Sequence, residues 1–79
     1  MWTMAISKNS TGTKVRKIQR FLDSRGYDLG DAGVDGVYGA ATQEAVRDFQ
    51  YEHALRADGI VGSSTILIMR SEGLDLDED

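Results

Sequence analysis

Apolar residues recur at helical spacing in three stretches of this chain, and together they predict an all-helical domain. From Thr13 to Arg25, Val15, Ile18 and Leu22 return every three or four positions with Phe21 beside them. Lys14, Lys17 and Arg20 fall on the other faces. From Ala40 to Ala54 the stripe is Ala45, Val46, Phe49 and His53, with Glu44, Arg47, Asp48 and Glu52 on the solvated side. The third stretch, Ser63 to Ser71, is shorter and is expected to turn Ile66, Leu67 and Met69 inward. Gly26 and Gly73 follow the first and third stretches and suit the left-handed position that ends a helix.

No stretch alternates apolar and polar residues over the length of a strand. Val34–Tyr38 and Asp58–Val61 are the best extended pieces, expected to pair at most as a two-residue bridge. The connection from Gly26 to Gly39 is rich in Gly and Asp, with Leu29 and Val34 placed to fold under it. A loop of that length with its own apolar anchors is usually functional or specifically packed. The expected fold class is therefore all-α: a compact three-helix bundle with two Asp-Gly turns and a minimal β bridge at most.

The strongest pattern is internal. Val15-Arg16-Lys17-Ile18-Gln19 is echoed by Val46-Arg47-Asp48-Phe49-Gln50. Asp35-Gly36-Val37-Tyr38-Gly39-Ala40-Ala41-Thr42 is likewise echoed by Asp58-Gly59-Ile60-Val61-Gly62-Ser63-Ser64-Thr65. Each half is a helix, a loop and a Gly-rich turn that launches the next helix. In the turn, the Asp side chain accepts bonds from nearby backbone N–H groups and the following Gly takes positive φ at no steric cost. Tyr38 and Val61 then tuck beneath their turns. Thr42 and Thr65 fall in the first turn of the next helix, where a hydroxyl serves an unpaired N–H or a ligand. Gln19 and Gln50 lie beside the buried faces, where a long amide is expected to bond loop backbone and tie helix to turn.

Length and composition narrow the function. Seventy-nine residues make one domain, with no cysteine and a single histidine, so disulfide and metal staples are absent from the usual ligands. The net charge is −4 and the pI about 4.8. Much of that acidity sits in Asp75-Leu76-Asp77-Glu78-Asp79, read as a solvated terminus. The rest of the chain is near neutral, which is neither a nucleic-acid nor an anionic-membrane balance. No run approaches the roughly 20 apolar residues that span a bilayer. Met1-Trp2-Thr3-Met4-Ala5-Ile6 lacks a basic start and a long apolar stretch, so it is not a secretory signal. The organisation expected is an N-terminal extension (1–5), one domain (6–72) and an acidic tail (73–79).

In this order the residues resemble the peptidoglycan-binding domain family that accompanies cell-wall amidases, peptidases, muramidases and phage endolysins. The pattern is carried by Gly12, Val15, Ile18, Gln19, Leu22 and Gly26, then by Asp35, Gly36, Tyr38, Gly39 and Thr42. Ala45, Val46, Phe49, Gln50 and Leu55 follow, and Asp58, Gly59, Ile60, Val61, Gly62 and Thr65 complete it. The resemblance covers roughly Ile6 to Met69. Three positions depart from it: Ile18 stands for the usual Leu, Ala54 for a Gly that ends the second helix, and no Pro follows the helix-start Gly. Ala54 points to a different cap at that helix end. The resemblance implies a non-catalytic targeting module that holds an attached or associated wall-lytic or wall-modifying protein near its polymer.

The ligand is expected in a shallow groove near the loop Leu29–Tyr38 and the second helix, with Asp35, Tyr38, Thr42, Arg47, Tyr51 and Arg56 as candidate contacts. Tyr51 falls on the side of its helix away from Phe49 and offers an exposed aromatic face. Tyr38 is expected in the core with its hydroxyl reaching out. Arg47 and Arg56 suit ligand carboxylates, although either is also an ordinary solvated charge. Asp31–Gly36 hints at a calcium loop, but Gly33 and Thr42 occupy its third and twelfth positions, where ligands are required. His53 reads as a partly buried helix histidine rather than a metal ligand or base. Asp35 and Asp58 already serve turns, which leaves no carboxylate pair for hydrolysis.

No catalytic residue, metal or cofactor is therefore expected. The expected partners are peptidoglycan glycan or stem peptide and a fused or associated catalytic domain, without nucleic acid or membrane, and the chain is expected to be a monomer. The place of action is the cell wall, periplasm or exterior, by a route that this chain's own start does not supply. The alternative is a structural protein–protein interaction module in a phage or secretion assembly.

Overall fold

In the computed structural model, residues 5–76 are described. Most of the expected N-terminal extension (1–4) and the end of the acidic tail (77–79) lie outside the described residues. Three helices follow in order: α1 (Thr13–Ser24), α2 (Ala40–Glu52) and α3 (Ser63–Ser71). Their ends agree with the hydrophobic periodicity to within two residues, the ordinary latitude of a helix terminus.

The core forms where the three stripes meet. α1 contributes Val15, Ile18, Phe21 and Leu22, α2 Ala45, Val46 and Phe49, and α3 Met69. Phe49 sits at the aromatic centre. Phe21 and Tyr27 meet it edge-on, with centroids at 5.7 and 6.0 Å, and His53 stacks on it at 4.0 Å. Burying an aromatic or aliphatic side chain of this kind stabilises by about 1.5–3 kcal/mol. Leu29 is buried beneath the long loop and Val34 packs partly against the core, as their positions suggest.

All three helices end the same way. The residue two beyond the last helical one takes positive φ: Gly26 at 88°, Ala54 at 58° and Gly73 at 117°. The next residue donates its N–H back to the carbonyl five positions earlier: Tyr27 to Leu22, Leu55 to Gln50 and Leu74 to Met69, at 2.8–3.0 Å. This is the Schellman arrangement, with an apolar residue just past the turn. The different cap expected at Ala54 is thus not found. The alanine adopts the glycine's conformation and the cap is kept.

Four expectations are corrected. Leu67 is 69% exposed rather than inward. Thr65 is held into the core by Gln50 and Met69 lies four residues on along the same face, so the buried stripe of α3 runs through them, with Ile66 and Ile68 at its edges. The extended pieces do not pair with each other. Each pairs with the segment before α1, in isolated antiparallel bridges Thr11–Val37 and Ile6–Val61. The acidic tail is not solvated from its start, since Leu74 and Leu76 are buried in the core. The Tyr38 hydroxyl does not reach out: the residue is fully buried and donates to the Gly59 carbonyl at 2.6 Å.

Candidate functional site

The repeated residues build two equivalent locks. In the first, the Gln19 carbonyl oxygen accepts from the Asp35 and Gly36 N–H groups at 3.1 and 2.8 Å. The two protons of its amide nitrogen are divided among Asp35 Oδ1, the Val37 carbonyl and Thr42 Oγ1, all at 3.0–3.1 Å. In the second, Gln50 accepts from the Gly59 N–H at 2.9 Å and donates to Asp58 Oδ1, the Ile60 carbonyl and Thr65 Oγ1 at 2.9–3.1 Å. One buried amide thus ties a helix, a turn and the start of the next helix together. The expectation that these glutamines bond loop backbone is borne out, and no buried side-chain polar atom among the described residues lacks a partner.

Each aspartate closes its own turn as well. Asp35 Oδ1 accepts from the Val37 N–H at 3.0 Å and Asp58 Oδ1 from the Ile60 N–H at 2.9 Å. These backbone bonds to the charged form, with help from the glutamine amides, hold both carboxyls below their ordinary value near 3.8. Neither is poised as a proton donor at neutral pH. Gly36 and Gly59 have φ of 78° and 74°, and an arginine from the same half lies across each bare Cα. A Cβ there would stand 3.0 Å from the Arg16 guanidinium at Gly36, and 2.8 Å from Gln43 and 3.3 Å from Arg47 at Gly59.

Beside each lock lies an open groove. The first, about 250 Å³, is lined by the loop from Leu29 to Gly33 and by Asp35, Val37 and Gly39–Thr42. It occupies the place where the sequence put the ligand. The second, about 350 Å³, is lined by Gln50, Ala54–Arg56, Asp58, Ile60 and Gly62–Thr65. Six positions of the second lining are the repeat counterparts of six in the first, from Asp35/Asp58 through Thr42/Thr65.

The six candidate contacts are not gathered at one place. Asp35 and Thr42 border the first groove, and Thr42 is buried with its oxygen accepting from Gln19. Tyr38 lies inside the core. Arg47 packs on Gly59 and pairs with Glu44 at 2.8 Å. Tyr51 is 79% exposed on α2, as its helical position indicates, and Arg56 borders the second groove. Sequence reasoning passed over Arg16, the counterpart of Arg47. The signal was present in the duplicated Val-Arg step.

A separate polar cluster joins the far ends of the helices. His53 Nδ1 faces the Phe49 carbonyl at 2.8 Å and Nε2 faces Glu72 at 2.7 Å. The bond to the Phe49 carbonyl raises the His53 pKa above 6.5 against some burial, and Glu72 adds to the rise. Arg25 pairs with Glu72 at 3.3 Å and lies over the Phe21 ring. The Tyr27 hydroxyl donates to Glu52 at 2.5 Å, and burial together with that carboxylate pushes its pKa up to about 12. Among the described residues no group of three or more His, Cys, Asp or Glu could hold a metal, and no helix is long and apolar enough to cross a membrane.

Comparison with known proteins matches residues 11–69 to the family described as "Putative peptidoglycan binding domain". A probable N-acetylmuramoyl-L-alanine amidase of Bacillus licheniformis is 40% identical over 60 residues, which are 76% of this chain and 17% of that protein. The crystal structure of the SleB N-terminal domain superposes with a TM-score of 0.80 at 30% identity, covering 91% of this chain and 96% of that one. The Burkholderia AP3 phage endolysin structure gives a TM-score of 0.78 at 35% identity over 91% of this chain and 27% of that one. The match is to one domain in each longer relative, and the chain spans only about a sixth of the amidase's length.

Proposed function

The chain belongs to the peptidoglycan-binding domain family, whose place of action is the cell wall, and from that premise we propose that it is the wall-anchoring part of a lytic or wall-modifying protein. It is a small binding domain, and the catalytic domains of its relatives lie outside the region it matches. The observation that carries the reading is the complete duplicated frame: both glutamine locks and both turns are closed, and each leaves an open groove beside it.

The ligand is stem peptide or glycan, and it enters the groove between the loop from Leu29 to Gly33 and the start of α2. Asp35 stays at the rim of that groove. Tyr51 and Arg47, four residues apart on one helical face, offer a second, flatter contact. Tyr38 and Thr42 serve by holding the rim in place, since neither presents a free polar atom to solvent. A single shallow groove gives weak affinity, about micromolar to millimolar, and attachment to another domain lengthens residence on the polymer. The monomeric chain needs no cofactor, nucleic acid or membrane for this role.

Co-sedimentation with purified insoluble peptidoglycan tests the reading. The chain is expected in the pellet at low and moderate salt. Its recovery in the supernatant, with a specific protein partner captured at equal stoichiometry, would instead make it an interaction module of a phage or secretion assembly.

A further inference from the structure

We propose that the second repeat carries a ligand subsite of its own, which takes a carboxylate of a stem peptide through Arg56. The inference rests on the wall-binding reading and names a substrate group for a groove that the repeat alone does not predict to differ from the first.

The two grooves share a frame, so the positions where they differ are the ones the frame does not dictate. Ala40 and Ala41 line the first groove, whereas the exposed hydroxyls of Ser63 and Ser64 stand at the same positions in the second. The first groove is lined by the carboxylates Asp31 and Asp35 and by no cation. The second has one carboxylate, Asp58, and one cation, Arg56. Asp58 Oδ1 is already engaged by the Gln50 amide and the Ile60 N–H. Arg56 is exposed, and its side chain forms no hydrogen bond or ion pair among the described residues, unlike those of Arg25 and Arg47, although its charge helps to hold the Asp58 carboxyl below its ordinary pKa.

A guanidinium presents paired N–H donors that match a carboxylate's two oxygens. Beside it Leu55 and the 41%-exposed Ile60 offer an apolar wall for a small side chain, and the serines offer hydroxyls to a peptide backbone. A concave surface that combines one charged anchor, a few polar groups and an apolar wall suits a short acidic peptide. The first groove, whose lining holds no cation, offers that terminal carboxylate no such anchor, whatever other part of the ligand it takes.

The test uses a synthetic stem peptide ending in D-Ala-D-Ala with a free carboxylate, its C-terminal amide, and the full chain with and without Arg56→Gln. NMR titration should move the amide signals of Ile60, Ser63 and Ser64 with the carboxylate peptide. Affinity should fall about tenfold for the amidated peptide and for the Arg56→Gln variant, the loss of one charge-assisted contact. Equal affinity for both peptides, an unaffected variant, or shifts confined to residues 29–37 would overturn the proposal. Wall co-sedimentation of the unaltered chain separates the two readings: if it persists while the peptide results fail, only the Arg56 subsite falls. Because Arg56 contacts no other side chain by hydrogen bond or ion pair, the variant should fold as the parent does, which its unchanged melting temperature would verify.

Discussion

One side chain in each repeat does the work of a small hydrogen-bond network. Gln50 reaches the second turn through four bonds, and leucine at that position would fill its volume while leaving the Gly59 N–H and Thr65 hydroxyl buried without it. Each abandoned buried group costs about 1–3 kcal/mol, so Gln50→Leu should lose about 3 kcal/mol, a large part of a small domain's stability. Urea unfolding would register this as a lower midpoint with little change in slope. These glutamines were legible in the sequence because they recur at the same step of a duplicated pattern beside a buried face. The Tyr38 hydroxyl was not, because its acceptor, Gly59, lies 21 residues away on the other turn and no local rule connects them. Arg47 was legible as a cation but not as a cover for Gly59, a contact that only the folded chain creates.

Helix ends carry the next level of organisation. Ala54 holds a left-handed conformation that costs an L-residue about 1–2 kcal/mol, and its neighbours at Gly26 and Gly73 avoid that cost. Ala54→Gly removes the strain but frees the unfolded chain, so the net gain should be about 0.5–1 kcal/mol, seen as a thermal midpoint higher by a few degrees. The cap survives because the Leu55 N–H still meets the Gln50 carbonyl at 2.8 Å. At the same end of α2, His53 bridges to Glu72 just past α3. Its folded pKa lies above the ordinary 6.5, so the stability it adds is fully present below about pH 6.5 and is lost as pH rises through the folded value. Denaturation midpoints measured across pH 5–9 should decline over that interval, and His53→Gln should flatten the decline. The three helices could be read from apolar spacing, but the inward face of α3 could not. Ile66, Leu67, Ile68 and Met69 are consecutive apolar residues that leave two or three faces equally plausible, and the choice falls to the Thr65–Gln50 bond.

Across the whole molecule, the segment before α1 crosses both turns. Ile6 exchanges two backbone bonds with Val61, and residues 9–12 bond to Gly36 and Tyr38. These pairings join residues far apart in sequence, which is why the sequence offered the extended pieces but not their partner. The grooves were half legible: the first was placed from the long loop, while the second lies beside a short connection that gave no such cue. With Tyr38 also spanning the two halves, the fold should open as one unit. Tyr38→Phe should cost about 1–2 kcal/mol by leaving the Gly59 carbonyl unmet, and amide exchange at Gly36 and Gly59 should quicken together. The same tyrosine bears on how far the halves are exchangeable. Val61 holds its place in the second half and has no hydroxyl to offer. A chimera made from two second halves would leave a carbonyl without its donor, and one made from two first halves would bury a phenol where Ile6 and Val61 now meet. The symmetry of the pattern thus holds for the turns and their glutamine locks but stops at the core beneath them, so neither copy can stand in for the other without loss.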